Sequence, residues 1–208
     1  MARYTGATCR LCRRLGTKLL YKGDHCATKC AMDRKSNPPG QHVARRRKLS
    51  EWGTQLREKQ KARYIYGVME RQFRNVFAEA ERQPGVTGEN LFGLLERRLD
   101  NVVFRLGLAS SRAQARQLVS HGHITLNEHK ADIPSMMVSA GDVVGVKESS
   151  TKKAFFPELG ERIKGASVPS WLSLDMEKLT GKVLSLPRHG EAELEFDEKL
   201  VVEYYSRR

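Results

Sequence analysis

All four cysteines of the chain lie between Cys9 and Cys30, in two close pairs. Two residues separate Cys9 from Cys12, three separate Cys26 from Cys30, and thirteen lie between the pairs. This spacing suits a tetrahedral Zn²⁺ site: each pair presents two thiolates from one turn, and the loop folds back to bring the pairs together. No other feature constrains the fold as strongly. The surrounding segment has too few apolar residues to fold unaided, so one bound ion would supply its folding energy. The alternatives are four unligated buried thiols, a redox-labile cluster, or His25 replacing its neighbour Cys26 as a ligand. Four thiolates close the coordination sphere, which fits a structural zinc and not a catalytic one.

Charge sets this segment apart. Residues 1–50 hold thirteen Lys/Arg against Asp24 and Asp33 alone, so they carry +11 of the chain's +13. The next fifty residues have nine basic and eight acidic side chains, residues 101–150 five and four, and residues 151–208 ten and ten. A pI near 9.8 points to a polyanion partner, because each cation placed on a phosphate releases a condensed counterion. No run of about 18 apolar residues exists to cross a membrane, and the opening residues match no leader peptide. The chain therefore reads as cytoplasmic, where a reducing environment favours metal over disulfide for clustered cysteines.

The pattern predicts an α+β protein: a zinc knot, a mainly helical first domain, and a small module with a helix pair and a β-sheet. A basic arm over residues 1–45 ends after the rigid turn Asn37-Pro38-Pro39-Gly40. A helical domain over 46–96, starting behind Ser50 as a helix cap, is completed by a C-terminal helix within about 190–208 that Asp197 can cap. From Glu51 to Arg82 the pattern is helical and densely charged, with Glu58, Glu70 and Glu79 available for helix pairs. The compact module spans 97–157. Its first helix carries Leu99, Val102, Val103 and Leu106; Ser111 and Gln114 have capping-box spacing for the second, and Gly122 suits a left-handed cap. Ile124-to-Leu126 and Val143-to-Val146 read as strands. Residues 158–189 form an extension packed on the module, with a short helix expected over 157–165.

Within the second helix of the module, Arg112, Arg116 and Ser120 recur at i, i+4 and i+8. Arg112 sits in the first turn, where the helix dipole disfavours a cation while the free N–H groups attract an anion. A phosphate in front of both explains the arrangement; an ordinary solvated face is the plainer reading.

The run ERRLDNVVFRLGLASSRAQARQLVSHGHITLN, followed by PSMMVSAGDVVGV, resembles the RNA-binding module of the S-four family of ribosomal proteins. NPPGQH, LREKQKARYIYGVMERQFRNVF, TGENLFGLLERRLDNVVFRLG, WLSLD and LVVEYYSRR extend the likeness along nearly the whole chain, and the early cysteines resemble the zinc-bearing variety of the family. The resemblance implies a structural constituent of the small ribosomal subunit. It would bind the 5′ domain of small-subunit ribosomal RNA early in assembly, contribute to translational accuracy, and neighbour other ribosomal proteins including the fifth of the small subunit. It implicates Arg98, Arg112, Arg116, Gln117, His121 and His123 in the module. From the arm and first helices come Arg45, Arg46, Arg47, Lys59, Lys61, Arg63 and Arg74. Phosphate and sugar contacts are expected to dominate, since duplex RNA presents shape and 2′-hydroxyls more readily than base edges. One departure stands out: Asn127-Glu128 occupies the hairpin turn where the family commonly carries Asn-Gly, leaving the turn type open.

No small-molecule substrate is expected. The competing class is an RNA-modifying enzyme that uses the same module, such as a pseudouridine synthase, because Arg98-Leu99-Asp100 resembles the catalytic Arg-Leu-Asp of those enzymes. Arg97 stands where those enzymes carry Gly, and no separate catalytic domain follows. Asp100 is better suited to bracing a turn or pairing with an arginine. The six histidines show no spacing for a nucleophile–base pair or a two-metal site, and the knot lacks the paired histidines and recognition helix of a DNA-binding zinc finger.

Overall fold

The computed structural model describes residues 3–41, 48–151, 167–176, 178–188 and 196–207. Two compact units emerge: Met1–Phe92 with Ala192–Arg208, and Gly93–Glu191. The short helix expected over 157–165 lies outside the described residues.

In the first unit the cysteine segment forms three short helices, α1 (Cys9–Leu15), α2 (Asp24–Thr28) and α3 (Ala31–Arg34). Gly16 ends α1 in the left-handed conformation and donates its N–H to the Cys12 carbonyl at 2.8 Å. Leu11, Leu15 and Leu19 bury what little apolar surface this segment has. It is tied to α4 (Glu51–Ile65) by polar links: the Tyr21 hydroxyl donates to the Tyr64 carbonyl at 2.7 Å, and Arg57 donates to the Leu15 carbonyl.

Ser50 caps α4 by accepting from the Gly53 N–H. The helical stretch expected over 51–82 forms as two helices: α4 stops at Ile65, Gly67 turns the chain at φ 61°, and α5 (Glu70–Arg82) starts afresh. Phe73, Phe77 and Ala80 on α5 are buried. Asn90, on α6 (Thr87–Glu96), closes the open end of α5 by donating to the carbonyls of Ala80, Gln83 and Pro84. The last helix, α10 (Glu198–Ser206), has Asp197 as its cap and packs on α4. Gln55 donates to Glu203 at 2.8 Å, and the Tyr205 ring stacks on Phe77 at 4.5 Å.

The second unit packs helices α7 (Leu99–Arg105) and α8 (Arg112–Ser120) on an antiparallel sheet of order β2-β1-β3-β5-β4. Its strands are β1 (Ile124–Leu126), β2 (His129–Ala131), β3 (Val143–Val146), β4 (Leu172–Asp175) and β5 (Thr180–Val183); α9 (Glu148–Thr151) follows β3. Leu99, Val102, Leu106, Leu108, Ile124, Val144 and Trp171 form its core. The extension after the module does more than pack against it, because β5 pairs with β3 and brings β4 into the same sheet. Gly181 is required there: a Cβ would overlap the Leu106 side chain. Ser111 caps α8 by accepting from the Gln114 N–H at 3.3 Å, and Gly122 ends that helix at φ 70°. The turn between β1 and β2 places both Asn127 (φ 50°) and Glu128 (φ 68°) in left-handed conformation, which is a type I′ turn. Asn127 is anchored as well, accepting from the Val143 N–H and donating to Asp142.

Candidate nucleic-acid interface

Two features dominate the chemistry of the chain, one in each unit: a cysteine pocket and a buried arrangement of arginines. Cys9, Cys12, Cys26 and Cys30 line one small pocket together with Thr8, Tyr21, Lys22, Ala31 and Met32. All four are free thiols, and Cys12, Cys26 and Cys30 are buried. Burial pushes the Cys12 thiol up, and the three neighbouring sulfurs act the same way against a backbone hydrogen bond at Leu19. The Lys22 N–H donates to the Cys26 sulfur at 3.4 Å. Four sulfurs with N–H donors behind them are the donor set a structural zinc takes. Among the described residues, however, no three His, Cys, Asp or Glu side chains are gathered into a metal-holding group. His25 is exposed and does not line the pocket.

Around the pocket, Arg10, Arg14, Lys29, Arg34 and Lys35 are exposed cations that sequence reasoning had not singled out. Their signal was the charge of the block as a whole, in which only Asp24 and Asp33 oppose thirteen bases. Asp33 is taken by Lys18 at 2.8 Å. Arg45, Arg46 and Arg47 lie outside the described residues.

The helical candidates divide sharply. Arg74 is exposed on α5. Lys61 is half-buried and pairs with Glu58 at 3.3 Å. Arg63 reaches Glu70 at 3.7 Å and lies over the Tyr64 ring. Lys59 is corrected: it is 2% exposed, pairs with Glu70 at 2.7 Å, and lies 4.9 Å from the centre of the Tyr204 ring. A cation committed in this way braces the first unit and faces no solvent. Burial alone would push the Glu70 carboxyl up, but the hydrogen bond and charge of Lys59, with the Tyr205 hydroxyl and Arg63, hold it below its usual value.

In the module, the polar stripe expected on α8 is corrected in the same sense. Arg116 is buried and reaches Asp100 at 3.1 Å, and the buried Arg98 meets the same carboxylate at 3.0 Å. Asp100 also accepts the Asn101 N–H, so it both braces the turn and pairs with arginine. Beside it, Glu96 is 1% exposed and held by both nitrogens of the Arg105 fork at 2.9 Å. Asn101 donates to Glu96, and Arg112 donates Nε–H to Asn101 Oδ1 at 2.7 Å. Glu96, Asn101 and Arg105 went unsuspected, because their spacing carries no pattern until α7 and α8 fold together. Buried ions are tolerated only when paired and hydrogen-bonded, and this cluster meets that condition. Gln117 and His121 are exposed near the end of α8, while His123 is half-buried with Nδ1 3.0 Å from the Ser150 hydroxyl. Of the candidates in the module, Gln117 and His121 are thus exposed, while Arg112 and His123 are only partly so.

Two family descriptions match the chain in succession, together covering residues 3–144: "Ribosomal protein S4/S9 N-terminal domain" over residues 3–96 and "S4 domain" over residues 97–144. The chain is 55% identical to the small ribosomal subunit protein uS4 of Dehalococcoides mccartyi over 207 residues. It is 58% identical to protein uS4A of Alkaliphilus oremlandii over 208 residues and 55% identical to protein uS4 of Halothermothrix orenii, also over 208. Each match covers 100% of both chains.

Proposed function

The chain belongs to the uS4 family of small ribosomal subunit proteins, and on that premise we propose that it binds the 5′ domain of small-subunit ribosomal RNA early in subunit assembly. It is a structural constituent of the ribosome, not an enzyme. The full-length match to uS4 proteins carries this reading. Supporting it are the +11 of the first fifty residues and a module whose helix pair is braced by buried ion pairs. Contacts to phosphate and sugar set the register on folded RNA, with the exposed cations of α1–α3, Arg74 and the exposed residues of the module as the contacting groups. The fifth small-subunit protein is the proposed protein neighbour, and a contribution to translational accuracy is proposed as well. The RNA-modifying alternative loses its motif, since Asp100 is engaged by Arg98 and Arg116 and is not open to a substrate base.

We also propose that Cys9, Cys12, Cys26 and Cys30 hold one structural zinc ion. The shared pocket and the Lys22 N–H at the Cys26 sulfur support it. When bound, the ion supplies folding energy to a segment that buries few apolar side chains.

Filter binding of the purified chain to a transcript of the 5′ domain, across a salt series, tests the RNA reading. Binding whose logarithm falls linearly with log salt, and co-sedimentation with the small subunit, are the expected results. Failure to bind that transcript in dilute buffer overturns it.

A further inference from the structure

The stretch from Leu19 to Lys22 serves the cysteine pocket and the first helical unit at once. Its backbone reaches the sulfurs: Leu19 gives Cys12 a backbone hydrogen bond, and the Lys22 N–H donates to Cys26 Sγ at 3.4 Å. Between them Leu20 sits at φ 51°. Residues other than glycine enter that left-handed region at a cost, and only where their surroundings hold them. Tyr21 follows. It lines the pocket beside the four cysteines, and its hydroxyl donates to the Tyr64 carbonyl at 2.7 Å. Tyr64 stands in the last turn of α4, where carbonyls lack partners within the helix. The Gly67 N–H also donates to that oxygen, at 3.1 Å. A reciprocal link runs the other way: Arg57 of α4 donates to the carbonyl of Leu15, the last residue of α1. The cysteine segment and α4 thus each satisfy an end carbonyl of the other with a side chain.

We propose that Tyr21 is a positioning residue that couples metal binding in the cysteine pocket to docking of the cysteine segment on α4. The proposal rests on the zinc reading above. Thiolates gathered on one ion hold Leu19 and Lys22 in place through their backbone, keep Leu20 in its left-handed conformation, and so aim the Tyr21 hydroxyl at Tyr64. Without a common anchor for the sulfurs, Leu20 relaxes and the hydroxyl leaves Tyr64 for water. Because metal binding and docking share this strap, each strengthens the other by the same factor. Arg10, Arg14, Lys29, Arg34 and Lys35 are carried on the segment, so docking fixes where their charge stands beside α4.

Zinc titration of the full chain, with its thiols reduced and a chromophoric chelator as competitor, tests this. Tyr21→Phe keeps the ring in the pocket wall and removes only the hydroxyl. It is expected to weaken zinc binding roughly 3- to 10-fold. Arg57→Met removes the second link from a residue that does not line the pocket, and is expected to weaken zinc binding several-fold as well. In the wild type, zinc should raise hydrogen-exchange protection at the Gly67 and Val68 amides, which close the end of α4. That rise should shrink in Tyr21→Phe. A hydroxyl that merely stabilises the fold would instead lower the urea midpoint equally with and without zinc, and leave zinc affinity unchanged. Unchanged zinc affinity in Tyr21→Phe overturns the coupling. So does a loss in Tyr21→Phe with none in Arg57→Met, which would make Tyr21 a local part of the pocket wall. Both of these outcomes leave the zinc reading intact, whereas a wild-type chain that binds no zinc removes it and the coupling together.

Discussion

Lys59 offers the sharpest test of whether a basic residue of this chain is committed to the fold or to RNA. Its side chain is 3% exposed, and its ammonium meets Glu70 at 2.7 Å between the rings of Tyr204 and Tyr205, 4.9 and 5.9 Å away. Two substitutions break the pair from opposite ends and should not be equivalent. Glu70→Gln leaves a buried cation without its counter-charge. Such a loss costs about 3–5 kcal/mol in a fully buried pair. Glu70 is itself 43% exposed, so water reaches the pair from that side and the expected cost falls to about 1–2 kcal/mol. Lys59→Met keeps the stem against the tyrosines, removes the desolvation cost of the ammonium, and leaves a carboxylate that water, Arg63 and the Tyr205 hydroxyl still satisfy. Its expected effect is within about 1 kcal/mol of zero, in either direction. Urea unfolding at pH 7, followed by tyrosine near-ultraviolet circular dichroism, reads this as a midpoint roughly 0.5–1 M lower for Glu70→Gln. The pH dependence has a definite sign. Glu70 titrates below its ordinary value of 4.5 in the folded state, so its contribution is present above that value and is lost as pH falls through the lower, folded one. The gap between wild type and Glu70→Gln should close on acidification. Lys59→Met should also keep the wild-type affinity and salt slope for RNA. A variant that stays folded but binds with a flatter slope would place Lys59 on the RNA and refute the reasoning.

Three further outcomes are expected. Glu128→Gly relieves a left-handed non-glycine residue in the type I′ turn and should stabilise the chain by about 0.5–1 kcal/mol in urea unfolding; a loss of stability would contradict the turn. Gly181→Ala forces a methyl group into the Leu106 side chain and should cost about 1–3 kcal/mol, with hydrogen-exchange protection lost first in β3 and β5; wild-type stability would mean that the helix–sheet contact is looser than described. Cys9→Ser should abolish zinc in metal analysis and loosen residues 3–41 while amides of 97–147 stay protected; a full complement of metal in that variant would sink the four-cysteine assignment.

Local chemistry made much of this fold legible. The helix caps at Ser50, Ser111 and Asp197, and the left-handed stop at Gly122, depend on residues within one turn of each other, and each stands where the sequence pattern put it. What escaped was decided by tertiary contact. The break at Gly67 carries no proline, and the apolar positions on either side keep a helical spacing, so a single glycine is all that marks it. Strand β5 reads Thr-Gly-Lys-Val, a sequence with a strand breaker near its centre; pairing with β3 and β4 on both edges makes it a strand, and the glycine leaves room for Leu106. At the site, arginines in a helical stripe cannot be divided by spacing into those that face solvent and those that face Asp100 or Glu96, since those carboxylates come from the preceding helix pair.

The block charges nevertheless contain the division, once pairing is considered. Residues 51–150 together hold fourteen bases and twelve acids, so most of their cations can be neutralised among themselves, and burial selects for it: Lys59, Arg98, Arg105 and Arg116 are all held by carboxylates of their own unit. The first fifty residues have thirteen bases and two acids, so their excess of eleven positive charges is not balanced within the segment. Counterion release on RNA depends on cations that have not already been neutralised. Most of the salt dependence of binding should therefore come from this segment, and the module should contribute a small share. Removing the charge of Arg10 and Arg14 together should then flatten the salt slope more than removing that of Arg98 and Arg116, although only the latter pair lies in the named RNA-binding module. The reverse order, measured by filter binding with both variants folded, would show that the buried ion pairs open when RNA arrives.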